Sequence, residues 1–262
     1  MTIVLTPLEL GLAVALVMLS ASLSLFLSLG FHRNLLWAAG RMIVQLLLVG
    51  VLLRFVFQQN SAWLTILIFL AMVTAAAYEV GARQPHRLRG RWQFLISGVS
   101  VSFSTMVVSA FALLTVLGSR DWLEPAHALP IAGIILGTAM NSASIALNAL
   151  LSNINNERVP IEAQLALGAT RLTALSPLMK RAIRAGIIPV MNQMVGAGII
   201  TMPGIMSGQI LAGQDPLEAA KYQIFLMLLL AASGTASVIA AVYLTALRFT
   251  DKRHRLRFDR IV

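Results

Sequence analysis

The chain has 262 residues, 58% of them apolar and only 11% charged. A soluble domain is nearer half apolar and a quarter charged, so lipid is the solvent for most of this protein. The absence of cysteine excludes a disulfide framework, a thiolate metal site and a cysteine nucleophile. The net charge of +10 does not point to nucleic acid, because the basic residues fall in alternate loops.

A helix needs about 20 apolar residues to cross a hydrocarbon core of about 30 Å. About seven stretches qualify, at 8–30, 35–57, 62–80, 94–118, 129–151, 186–212 and 217–248. The expected fold is an all-α polytopic membrane protein, and no shift of composition splits residues 1–262 into more than one transmembrane domain. The first span opens on Thr6-Pro7-Leu8-Glu9, a cap residue, a first-turn proline and a glutamate placed to close a capping box. It is not a cleaved signal peptide, since positive charge follows it at Arg33 rather than preceding it. Arg41, Gln45 and Arg54 interrupt the second stretch, which leaves open a six-span reading with an interfacial helix there.

With the N-terminus outside, 17 of the 20 lysines and arginines lie in inner segments, and only Arg54, Arg120 and Lys221 lie outside. This split fixes the expected orientation, with a cytoplasmic C-terminus in the cell's inner membrane. Trp37, Trp63, Trp92 and Trp122 fall at span ends, where amphipathic rings settle at the headgroups. A proton relay would require a carboxylate or imidazole at mid-span, and none is found.

What the spans hold instead is uncharged and polar, including Gln45, Asn141, Asn192, Gln193 and Gln209. Amides in lipid need partners, so these residues either bond between helices or line a water-filled path. Gly133 and Gly137 form a GxxxG pattern for close helix packing, within the chain or across a dimer. The sixth stretch is overlong and carries Met202-Pro203-Gly204. Proline followed by glycine breaks a helix, so Pro203 and Gly204 are expected to interrupt one rising from Gly186, with 203–213 as an outer elbow or re-entrant piece. The same residues with Met202 and Gln209 are pathway candidates. Met191 with Met194 and Met202 with Met206 could hold a soft ion or simply fill gaps. Asp215-Pro216-Leu217-Glu218 repeats the capping device before the last span, so these acids are read as caps rather than metal ligands.

The segment 152–186 is the longest polar one and is expected as a cytoplasmic loop containing one short helix. Pro160 can open that helix, Ile161 and Leu165 give it an apolar stripe, and Gly168 is placed to end it. Such a helix lies on headgroups or docks into a groove of a partner.

Glu162-Ala163-Gln164, then Gly168-Ala169, resembles the coupling motif of ABC transporter permeases. Gly40-Arg41 with Gln45-Leu46, Pro130-Ile131-Ala132-Gly133, Leu167-Gly168-Ala169-Thr170, Pro203-Gly204-Ile205-Met206-Ser207-Gly208 and Asp215-Pro216 before Lys221-Tyr222-Gln223-Ile224 together resemble the FetB-type permeases. That family comprises bacterial iron-export permeases and plant aluminium-tolerance half-transporters. The resemblance implies a non-enzymatic subunit exporting iron or another metal ion, with ATP and Mg bound by a separate ABC ATP-binding subunit. It also implies contact with that subunit through Ile161, Glu162, Ala163, Leu165, Leu167, Gly168 and Ala169, and assembly of two permease copies. The chain has no Gly-Lys pair and so no Walker A loop of its own, which agrees with ATP being hydrolysed elsewhere. An autonomous channel or uniporter, or a membrane scaffold that transports nothing, remains an alternative.

Overall fold

The computed structural model describes residues 6–59, 61–84, 88, 90–117, 124–251 and 256–257. Several residues counted above, including Arg87, Arg89, Arg120, Trp122 and Arg260, lie outside this set. The described residues form nine helices: α1 (Pro7–Phe26), α2 (His32–Gln59), α3 (Ala62–Ala82), α4 (Trp92–Leu117), α5 (Pro125–Asn156), α6 (Arg158–Ala166), α7 (Arg171–Gly196), α8 (Gly204–Leu211) and α9 (Pro216–Phe249). Six of them, α1 to α5 and α9, are long and apolar enough to cross a membrane. The protein is thus an all-α polytopic membrane protein.

The chain divides into two compact units, Met1–Asn60 and Ser61–Val262, although no change in composition marks the boundary. The first unit is the α1–α2 pair. The expected capping box is formed: the Thr6 amide donates to Glu9 Oε2 at 2.6 Å, and the Glu9 amide donates to Thr6 Oγ1 at 3.4 Å. The second unit is built on α5, which packs against α3, α4, α7 and α9.

Why these helices bind so closely is visible in their small residues. A Cβ on Gly186 of α7 would lie 2.8 Å from each of Ala146 Cβ, the Ser142 carbonyl oxygen and Val238 Cγ2, so α5, α7 and α9 meet at one point that only glycine fits. Gly234 of α9 faces Ser142 Oγ in the same way, at 3.1 Å. Gln84, beyond the end of α3, is buried and donates through Nε2 to the Ser144 carbonyl at 3.0 Å and to Ser144 Oγ at 3.3 Å. It thereby pins the end of α3 to the middle of α5, well short of the α5 C-terminus.

Two expectations are corrected here. The segment 152–186 is not a loop around one helix: the end of α5, all of α6 and the first half of α7 occupy it. Its charges lower the hydropathy without breaking the helical period, because these helices extend beyond the apolar part of the bundle. The sixth span likewise does not rise from Gly186 to Pro203. Its helix begins at Arg171 and ends at Gly196, and a separate short helix begins at Gly204.

Candidate functional site

The short helix α6 ends as its sequence predicts. Gly168 has φ of 91°, its amide donates to the Leu165 carbonyl at 3.1 Å, and the Ala169 amide donates to the Gln164 carbonyl at 3.0 Å. This is the double closure of a Schellman motif, which needs a left-handed residue at that position. Pro160 lies two positions later than expected, at the third residue of the helix. Arg181 reaches back from α7 to Glu157 at 2.6 Å and fixes the helix entrance.

The apolar face that α6 leaves uncovered is not the stripe expected to dock. Ile161 is 2% exposed and belongs to the core formed with Leu150, Ile154, Leu175, Leu178 and Phe249, against which Leu165 and Ala169 also pack. This stripe holds α6 to its own chain and is not available to another protein. The opposite face carries Val159 (75% exposed), Ala163, Ala166 and Leu167 (88% exposed). Those positions recur at the i, i+4, i+7 and i+8 spacing of a single helical face. Glu162 is exposed beside them and accepts from Arg158 Nε at 2.9 Å. Of the seven coupling candidates, Glu162, Ala163, Leu167 and Gly168 face outward, whereas Ile161, Leu165 and Ala169 do not.

The pathway candidates other than Gln45 fall on α5, α7, α8 and the turn between α7 and α8. Asn141 is exposed on α5, next to the Ser142 contact with Gly186. Asn192 and Gln193 are exposed on the last two turns of α7. Between Gly196 and Gly204 the chain leaves the helix in a tight turn. The Gly196 carbonyl accepts from the Ile200 and Thr201 amides, each at 3.0 Å, and the Gly198 amide donates to the Thr201 carbonyl at 2.9 Å. Gly198 has φ of 82°. The break is therefore made by these glycines, seven residues before the proline to which it was attributed. Pro203 is the N-cap of α8, and its carbonyl accepts from the Ser207 amide at 3.0 Å and the Ser207 hydroxyl at 3.1 Å. Met202 is 65% exposed at the turn, and Gln209 Oε1 on α8 is buried without a hydrogen-bond partner. Gln45 stands exposed on α2 in the other unit. The two glycines of the GxxxG pattern separate: a Cβ on Gly133 would meet Met72 Cε at 3.1 Å, and one on Gly137 would meet nothing within 4 Å.

A set of buried hydroxyls includes several on α4 and α9 that went unread in the sequence. Ser97, Thr105 and Ser109 on α4, Ser142 on α5, and Ser233, Ser237 and Thr245 on α9 are buried with no hydrogen-bond partner for the hydroxyl oxygen. The run of Ser97, Ser100 and Ser104, three and four apart, was the available signal. Among the described residues no three histidine, aspartate or glutamate side chains come together, so an ion crossing this unit would meet amides, hydroxyls, carbonyls and thioethers. The cavity of about 340 Å³ among α3, α4 and α5 is lined by Phe69, Leu70, Met106 and Leu113 and offers such an ion almost nothing. At the last span Asp215 caps α9 through the Leu217 and Glu218 amides at 2.9 and 3.2 Å, as expected. Glu218 does not close a box there but pairs with Lys221 at 2.7 Å.

These features define a polytopic helical membrane protein with a break between α7 and α8 and a short two-faced helix beyond the apolar bundle. Residues 7–250 match the uncharacterised protein family UPF0014, and the chain belongs to that family. It is 34% identical to the probable iron export permease protein FetB of Escherichia coli K12 over 248 residues, 95% of this chain and 93% of that protein. It is 37% identical to the UPF0014 membrane protein slr1647 of Synechocystis, with 87% of each chain covered. It is 33% identical to the protein ALUMINUM SENSITIVE 3 of Arabidopsis thaliana, with 94% of this chain and 88% of that one covered. No solved structure matches the chain.

Proposed function

We propose that this protein is the membrane-spanning subunit of an exporter that moves iron or another metal ion outward across the inner membrane. Energy comes from ATP, bound with Mg and hydrolysed on a separate ABC subunit. Two permease copies assemble with two such subunits, with the N-terminus of each chain outside and the C-terminus in the cytoplasm. The relationship to an iron export permease supports the transport reading. Uncharged oxygens from Asn141, Asn192, Gln193 and Gln209 suit an ion that travels partly hydrated or chelated. The turn between Gly196 and Pro203 provides the irregular backbone that substrate paths in transporters often use.

The observation that carries the coupling half of the proposal is the division of α6 into a face anchored to its own core and an exposed apolar face. An apolar face with Val159 and Leu167 this exposed is costly to leave in water. A groove on the ATPase covers it. Burial of each of the two side chains contributes about 1.5–3 kcal/mol, tenfold or more in affinity. Val159→Asp combined with Leu167→Asp is expected to abolish co-purification of the ATPase while the permease still inserts. Ile161→Asp should instead lower the amount of folded permease, because it places a charge in the core. A full complement of ATPase retained by the Val159/Leu167 variant in a detergent pull-down would remove α6 as the docking element.

A further inference from the structure

Three of the four cations of α7, Lys180, Arg181 and Arg184, fall within five residues. Arg181 is paired with Glu157, whereas Lys180 and Arg184 make no ion pair among the described residues. Lys180 lines a cavity of about 330 Å³ between α7 and α9, to which Thr173, Ser176 and Tyr243 contribute hydroxyls, and Leu172, Met179 and Ile183 apolar walls. Arg184 follows Lys180 by one turn on the same side of α7.

The depth of this cavity is set by the helix junction. Lys180 precedes Gly186 by six residues, about 9 Å along the axis, and Tyr243 follows Val238 by five on α9. The cavity therefore lies where the apolar part of the bundle ends, on the side of α6. From there an uncharged track leads back into the bundle: Ile187 and Met191 continue the line of Ile183 along α7, and Ile239 and Ala236 continue that of Tyr243 along α9. Met191, Ile239 and Tyr243 are each about half exposed.

We propose that this groove is a binding site for an anionic phospholipid of the adjacent leaflet. Lys180, Arg184 and the hydroxyls of Thr173, Ser176 and Tyr243 receive the phosphate, and one acyl chain lies along Ile187 and Ile239. Unpaired cations at the edge of a low-dielectric region attract phosphate strongly, and hydroxyl donors complete its hydrogen bonding. A soluble phosphate would meet the same cations but would leave the apolar track unused, which is why the lipid is the occupant.

Native mass spectrometry of the delipidated full chain in detergent, titrated with phosphatidylglycerol or phosphatidylcholine and challenged with inorganic phosphate, tests this. One phosphatidylglycerol should be retained per chain, with phosphatidylcholine bound at least tenfold more weakly and phosphate failing to displace the lipid. Lys180→Gln with Arg184→Gln should weaken phosphatidylglycerol binding on the order of tenfold or more. Lys221→Gln, at the other end of α9, should leave it unchanged. Equal retention by the double variant, equal affinity for the two lipids, or displacement by phosphate would each overturn the proposal. Should the double variant fail to fold, Tyr243→Phe decides: a severalfold loss of affinity supports the site, and unchanged affinity overturns it.

Discussion

Two glycines show how differently the same residue can matter. A Cβ on Gly186 would meet three atoms at 2.8 Å, two on α5 and one on α9, and one of the α5 atoms is backbone that cannot move aside. Gly137 faces open space. Gly186→Ala is therefore expected to destabilise the bundle by about 1–3 kcal/mol, the usual cost of overpacking, and to lower the thermal unfolding temperature in detergent. Gly137→Ala should be near neutral for the single chain, and equal unfolding temperatures for the two variants would show that the junction can relax. At this scale the sequence was legible where the cause is local. The Thr6–Glu9 box and the ending of α6 at Gly168 follow from neighbours a few positions away. Gly186 was not legible, since a glycine inside a helical run carries no sign of the two other helices that will crowd it. The buried hydroxyls of α4 and α9 were missed for the same reason: serine in a span reads alike whether it bonds its own helix or faces a neighbour.

Helices are where hydropathy misled. Low hydropathy over 152–186 suggested a loop, yet Ile161, Leu165, Leu175 and Leu178 keep the spacing of a buried stripe and are drawn into one core. Periodicity was the better guide there, but it left the covering of the Ile161–Leu165 stripe to be ascribed to a partner rather than to the chain's own core, because an amphipathic stripe says that a face is covered without saying by what. The broken sixth segment gives a prediction of its own. Replacing Pro203 and Gly204 with alanine should not fuse α7 to α8, because the chain has already left the helix at Gly196 and turns through Gly198. Gly198→Val, by contrast, forces a β-branched side chain into a left-handed conformation at a cost of about 1–2 kcal/mol. It should slow metal efflux from reconstituted vesicles more than it lowers expression. Wild-type efflux by Gly198→Val would mean that the turn has no part in transport.

For the whole molecule, the arrangement around α5 gives the proposed second copy a surface on which to meet the first. Helices α3, α4, α9 and α7 all pack on α5, and each packs on the next in that order, but α3 and α7 do not close the circle. One side of α5 is left open, and its exposed residues include Gly137, Asn141 and Asn148, spaced four and seven apart. Lipid is a poor neighbour for such a stripe, because an amide without a partner in hydrocarbon costs several kcal/mol. A two-fold contact suits it well: each amide is both donor and acceptor, so the same patch can satisfy its own copy, and the stripe carries no charge to repel itself. Since the chain has no cysteine, single replacements report cleanly. Asn141→Cys is expected to form a disulfide-linked dimer on mild oxidation in membranes, whereas Phe103→Cys, 65% exposed on α4, should not. Adding Gly137→Leu should reduce the cross-link by holding the copies apart. Cross-linking through Phe103 instead would move the interface to α4 and leave the exporter proposal intact. Modification of Asn141→Cys by a water-soluble thiol reagent without any cross-link would make the stripe the wall of an aqueous path within one chain.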